Sequence, residues 1–141
     1  MSDRDGLIWM NGKFVQWRDA SVHVLTHTLH YGMGVFEGIR CYQIENGGAV
    51  FRLADHIERL FNSAKIFEIK IPHDEKSIHD AVLDLIMKNS LKSCYIRPLV
   101  FYGSEKMGLS TKGCSVNVAI AAWPWGTYLG DDGLRLSLIH I

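Results

Sequence analysis

Tyr95 and Arg97 stand two residues apart in the apolar run Cys94 to Tyr102, so a strand there points both, with Leu99 and Phe101, to one face. A guanidinium fork matches a carboxylate in bidentate fashion, and a phenol on the same face can donate one more hydrogen bond to it. The same pair also suits an arginine at a sheet end held by a structural acid. A second candidate face comes from His30-Tyr31-Gly32-Met33-Gly34-Val35-Phe36-Glu37-Gly38-Ile39-Arg40. With a strand starting near Val35, a period of two sends Phe36, Gly38, Arg40 and Tyr42 to one side and Val35, Glu37, Ile39 and Cys41 to the other. Aromatic, gap and cation together could line a shallow pocket for an anionic, partly apolar small molecule, with Gly38 leaving the room. A glycine-kinked barrel strand with solvated polar residues is the other reading. For Arg59, Asp55 lies one turn back and offers an ordinary i,i+4 surface pair. Tyr31 and Tyr128 equally suit interface or core packing.

A nucleophile is hard to find. No serine lies in a nucleophile-elbow context, no cysteine sits beside a paired histidine, and no phosphate-loop glycine pattern precedes a helix. Cys41, Cys94 and Cys114 are widely spaced in apolar segments, which suits buried reduced thiols better than disulfides or zinc. His23, His27 and His30 are spaced by four and three in a segment that reads as loop, a weak pattern for metal ligation.

The chain has 141 residues, one domain's worth and enough to bury an ordinary core. Fifteen basic and fifteen acidic residues balance, and no basic cluster tracks a nucleic-acid backbone, so nucleic acid is not an expected partner. There is no long apolar run and no charged-then-apolar leader, and the expectation is a cytoplasmic protein without a membrane span.

These residues need elements to hold them. Leu7 to Met10, Asn11-Gly12 and Lys13 to Trp17 read as strand, type I′ turn, strand, because Asn-Gly tolerates the positive φ that such a turn demands. Arg18-Asp19-Ala20 is a second turn and Val22 to Val24 a short apolar piece. Asn46-Gly47-Gly48 closes another hairpin, with Ala49 to Leu53 as its return strand, and the first fifty residues are expected to make a largely antiparallel sheet. From Ala54 the period lengthens to that of a helix, with Ile57, Leu60, Phe61, Ala64 and Phe67 as its apolar stripe. Pro72-His73-Asp74-Glu75 starts a second helix, whose stripe is Ile78, Ala81, Val82, Leu85 and Ile86. Two long strands come next, Cys94 to Tyr102 and Cys114 to Ala122, joined by a glycine-punctuated loop over 103–113 that is longer than a hairpin needs. The predicted fold is α+β: a largely antiparallel sheet with two amphipathic helices.

Trp9-Met10-Asn11-Gly12, the Tyr31 to Arg40 run, Ser63-Ala64-Lys65, Tyr95-Ile96-Arg97-Pro98 and the segment from Ala121 through Trp125 to Gly130 resemble branched-chain amino-acid aminotransferases, nearly continuously to Gly133. The resemblance implies a fold-type IV pyridoxal-phosphate enzyme that moves an amino group between leucine, isoleucine or valine and 2-oxoglutarate, built as dimers. It implies a small N-terminal domain over 1–122, an interdomain loop over 123–133, and a truncated or foreign start of a large domain over 134–141. It assigns the cofactor phosphate to Arg59, the substrate's α-carboxylate to Tyr95 and the distal carboxylate of glutamate to Arg97. Tyr31, Phe36, Gly38, Trp125 and Tyr128 would surround the branched side chain. Met107-Gly108-Leu109 would reach across a dimer interface to close the neighbouring pocket, and Tyr31 would act across subunits as well.

The lysine that holds the cofactor as a Schiff base belongs to the second domain of this family, and none of the eight lysines here matches it. The chain by itself is therefore expected to be inactive. Two alternatives stand beside the aminotransferase: a noncatalytic interaction module or gene fragment, and a D-amino-acid aminotransferase or aminodeoxychorismate lyase of the same fold type.

Overall fold

The computed structural model describes residues 4–125. Among these residues seven strands form one antiparallel sheet: β1 (Leu7–Met10), β2 (Lys13–Gln16), β3 (Gly34–Phe36), β4 (Ile39–Ile44), β5 (Gly47–Val50), β6 (Cys94–Tyr102) and β7 (Val116–Trp123). The order is β2-β1-β7-β6-β4-β5, with β3 also on β6. The antiparallel hairpins expected in the first fifty residues form, β1 with β2 and β4 with β5, and the late strands join them into one sheet, because β1 pairs with β7 and both β3 and β4 pair with β6. The two late strands are the centre and the early hairpins are its flanks.

At the first hairpin Asn11 and Gly12 take φ of 50° and 87°, the pair of left-handed residues a type I′ turn requires. Asn11 also ties that turn to the sheet, its side-chain oxygen accepting from the Val118 N–H at 2.8 Å. β5 is shorter than the sequence suggests. Arg52, at φ 48°, turns the chain so that Leu53 opens a helix instead of ending a strand.

Both amphipathic helices form, α2 (Leu53–Ile66) and α3 (Glu75–Lys88), and they cover one face of the sheet. Asp74 caps α3 by accepting from the Ser77 N–H at 2.7 Å, and the whole predicted stripe from Ile78 to Ile86 is buried. In α2 the stripe starts at Leu53 and loses Phe67, which is exposed beyond the helix end. A third helix, α1 (His27–Tyr31), occupies the segment read as loop. Five residues, little more than one turn, give periodicity nothing to detect. Gly32, at φ 70°, ends it in the left-handed conformation that glycine tolerates.

Alternation along the central strands then sorts the side chains. Ile39, Cys41, Cys94, Ile96, Val100, Val118 and Ile120 join the helices in the core. Cys41 and Cys94 are register partners and free thiols, and burial pushes the Cys94 thiol up to about 12. Tyr95, Arg97, Leu99, Ala119 and Ala121 face the other way. There the segment from Ala20 to Leu29 lies over the sheet and encloses an apolar cavity of about 280 Å³, lined also by Ile8, Met10, Arg97, Leu99 and Phe101. Among the described residues no helix is long and apolar enough to cross a membrane.

Candidate functional site

On the helix-free face, β6 carries Tyr95 and Arg97 side by side as period two demands, and the Arg97 Nη2 donates to the Tyr95 hydroxyl at 2.8 Å. Phe36, at the end of β3, lies beneath the guanidinium, with the Arg97 carbon 4.4 Å from its ring centroid and 5.3 Å from that of Tyr95. Trp123 closes β7 directly opposite Tyr95 in register, and Tyr95, Trp123 and Trp125 form a triangle of rings with centroids 5.2 to 5.6 Å apart. Gly38 sits against Tyr95: a Cβ there would overlap the phenol oxygen, so the missing side chain makes room first for Tyr95 and only through it for a ligand.

This cluster is rich in donors and short of acceptors. Among the described residues no carboxylate pairs with Arg97, and two buried donors, the Arg97 Nε and the Trp123 Nε1, have no partner. A structural acid, the other reading of Arg97, is not found there. Buried donors without acceptors are costly, and an anion set among them would satisfy them.

Behind the same short stretch, Glu37 points the opposite way, into the helix side, where only 4% of it is exposed. Such a carboxylate demands partners. α2 supplies them: Arg59 donates through Nε and Nη2 at 2.7 and 2.6 Å, and the His56 Nδ1 lies 2.8 Å away. Burial works to raise the Glu37 pKa, but the hydrogen bonds from Arg59 and His56 outweigh it and hold the carboxyl below its usual value. Glu37 in turn raises the pKa of Arg59. The surface pair Arg59–Asp55 does not form, since Asp55 pairs instead with Arg52 at 2.7 Å. Arg59 itself is 64% exposed, and with Phe51, Arg52, Asp55 and His56 it lines a cleft of about 350 Å³.

A third group joins α1 to the long loop. The Tyr31 hydroxyl accepts from the Gly108 N–H at 3.1 Å, and the His27 Nε2 lies 2.8 Å from the Gly108 carbonyl oxygen. Met107 and Leu109 on either side are exposed. His30 spends its Nε2 on the Val24 carbonyl at 2.8 Å, so both histidines of α1 meet backbone oxygens.

Of the residues singled out from sequence, Phe36, Gly38, Tyr95, Arg97 and Trp125 come together. Tyr31 joins the Met107-Gly108-Leu109 corner, Arg59 stands in its own cleft, and Tyr128 lies outside the described residues. Sequence reasoning gave Glu37, His56 and Trp123 no role in a site and weighed His27 only as a metal ligand. A charged residue on the Val35–Ile39–Cys41 face was the available signal for the first two, because a core-facing carboxylate must recruit cations.

The Amino-transferase class IV family matches residues 34–140. The chain is 56% identical over 135 residues to the branched-chain-amino-acid aminotransferase of Pseudomonas aeruginosa, covering 96% of this chain and 44% of that protein. The crystal structure of the Escherichia coli branched-chain amino acid aminotransferase superposes with a TM-score of 0.88 at 48% identity, covering 93% of this chain and 43% of that one. A branched-chain aminotransferase from Thermoproteus uzoniensis, solved with norvaline, gives 0.85 at 40% identity, over 90% of this chain and 43% of the other. The chain thus spans less than half the length of the relatives it matches. With that family match over most of its length, on a fold shared with solved members, the chain belongs to the class IV aminotransferases.

Proposed function

We propose that this chain is the substrate-recognition part of a pyridoxal-phosphate-dependent branched-chain aminotransferase, exchanging amino groups between leucine, isoleucine or valine and 2-oxoglutarate. The observation that carries it is the pair of orphaned donors, Arg97 Nε and Trp123 Nε1, in a nest of rings. An apolar pocket with one unneutralised guanidinium at its rim can take an aliphatic side chain or a second carboxylate, as dual recognition of leucine and glutamate requires. Tyr95 holds the α-carboxylate, Arg97 the distal one, and Phe36, Gly38, Trp125 and Tyr128 surround the aliphatic chain.

Arg59 suits the cofactor's phosphate. Its Nε and Nη2 are already fixed by Glu37, which orders the guanidinium in advance and turns the Nη1 edge to a ligand. Bound there, pyridoxal phosphate supplies the electron sink that amino-group transfer needs. Met107, Gly108 and Leu109, with Tyr31, complete the pocket of a neighbouring subunit in a homo-oligomer built from dimers, in the cytoplasm. Residues 1–122 form the small domain and 123–133 the connection to the large one.

Alone, the chain does not turn substrate over. All eight of its lysines are exposed, and none has the desolvated setting that activates an amine nucleophile. The decisive experiment is an amino-donor screen, with 2-oxoglutarate as acceptor, of this chain joined to the second domain of a class IV relative. Turnover of leucine, isoleucine and valine above D-alanine is the expected result. Preference for D-alanine, or lyase activity on aminodeoxychorismate, would replace this reading.

A further inference from the structure

The long loop over 103–113 is held by a residue that no part of the reaction uses. His27 is fully buried, its ring centroid 4.6 Å from that of Tyr31 and 5.9 Å from that of Tyr102. Its backbone N–H donates to the Gly103 carbonyl at 2.8 Å, fixing the base of the loop. Its Nε2 meets the Gly108 carbonyl at 2.8 Å, fixing the tip. A carbonyl can only accept, so the Nε2 carries a proton and donates it. The Nδ1 is left buried without a partner. Such a loss is tolerated where the other nitrogen's bond is needed.

Gly108 is thus gripped from both sides, its N–H by the Tyr31 hydroxyl and its C=O by the imidazole. It adopts φ of 122°, a conformation L side chains rarely take, and its neighbours Met107 and Leu109 are exposed. The peptide group between those two side chains is therefore held at both its N–H and its C=O. We propose that His27 is a positioning residue for the Met107-Gly108-Leu109 corner, setting through Nε2–H the aim of the two side chains that close a substrate pocket. The proposal rests on the aminotransferase reading only in what the corner touches. The clamp itself is a property of this chain.

The test uses the 141-residue chain and needs neither cofactor nor substrate. Nitrogen chemical shifts of His27 should show the Nε2–H tautomer, and the Nδ1–H form would overturn the proposal. His27→Phe keeps the ring contacts and removes the donor, whereas His27→Gln can place an amide N–H near the same spot. Exchange of the Gly108 amide should rise about fivefold to tenfold in His27→Phe and in Tyr31→Phe, the equivalent of one hydrogen bond. His27→Gln should stay near the parent, and the β6 and β7 amides should not move in any variant. Equal behaviour of the Phe and Gln variants, or acceleration spread through the sheet, would make His27 merely structural and sink the clamp. In the chain joined to the second domain of a class IV relative, His27→Phe should raise the KM for leucine with kcat little changed, and Gln should rescue it. An amino-donor screen that fails altogether would overturn the reading of function while leaving the exchange result standing.

Discussion

Two arginines on this domain have opposite electrostatic settings. Arg59 is matched by a buried carboxylate, while Arg97 has rings, a phenol and no acid among the described residues. The contrast has consequences that can be measured. Under the proposed function, Arg97→Ala in this chain joined to the second domain of a class IV relative should damage the half-reaction with glutamate far more than that with leucine, because only glutamate brings a second carboxylate. Loss of a charge-assisted bidentate contact in a desolvated site is worth about 2–5 kcal/mol. Single-turnover rates with each donor check this, and equal losses would refute the assignment. For Glu37 the sign runs the other way from a raised group. A folded pKa below the usual 4.5 means that its stabilisation is fully present above that value and lost as pH falls through the lower folded one. Glu37→Gln should therefore flatten the acid side of the stability profile, measured by thermal melts from neutral pH downward. An unchanged acid limb would show that the carboxylate adds nothing. The faces of Tyr95, Arg97, Phe36 and Glu37 were legible from a period of two alone. The partners of Glu37 were not, because His56 and Arg59 lie 19 and 22 residues away on a helix whose own pattern offers Asp55 instead.

At the scale of elements, strands and long helices were readable wherever a period ran for several repeats. α3 and its five-residue stripe match the reading closely, as do β6 and the first turn, and within the predicted start Asp74 is the residue that caps the helix. α1 escaped because it is short and its anchor is tertiary: Thr28 Oγ1 accepts from the Tyr102 N–H at 2.9 Å, 74 residues away, a contact no window of sequence contains. The seam between β3 and β4 is where element geometry and site chemistry meet. Glu37 keeps the pairing going through its N–H to the Pro98 carbonyl at 3.0 Å, and Gly38 then passes beneath the Tyr95 hydroxyl. Gly38→Ala should push Tyr95 aside and loosen its bond from Arg97. A well-packed site resists an added methyl by about 1–3 kcal/mol. Denaturant melts of the chain should show that loss, and Tyr95→Phe in the same background should relieve part of it. If Gly38→Ala melts with the parent, the seam is looser than drawn.

For the whole molecule, the sheet order was the least legible feature, since it depends on pairings such as Trp9 with Ile120 that span most of the chain. Those pairings also decide what faces water. With α2 and α3 on one side, the other presents the apolar cavity, the segment from Val22 to Leu29 above it, and the loop corner held against α1. Val24 is 71% exposed, Phe36 58% and Leu109 89%, with Val22, Leu25 and Leu29 also open. Arg97 joins the parts, because it lines the cavity and stacks on Phe36. Soluble monomers rarely leave apolar patches beyond a few hundred Å² uncovered, and a surface of this kind draws a partner or a second copy. The 141-residue chain should therefore self-associate and bind an apolar dye such as ANS, even though its two long helices and sheet pack a proper core. Sedimentation at several concentrations gives the answer directly. Val24→Lys with Leu29→Lys, both on exposed positions, should shift the population toward monomer and reduce dye binding without lowering the melting temperature much. A parent chain that sediments as a dye-free monomer at every concentration would mean that these side chains do not form one continuous patch in solution.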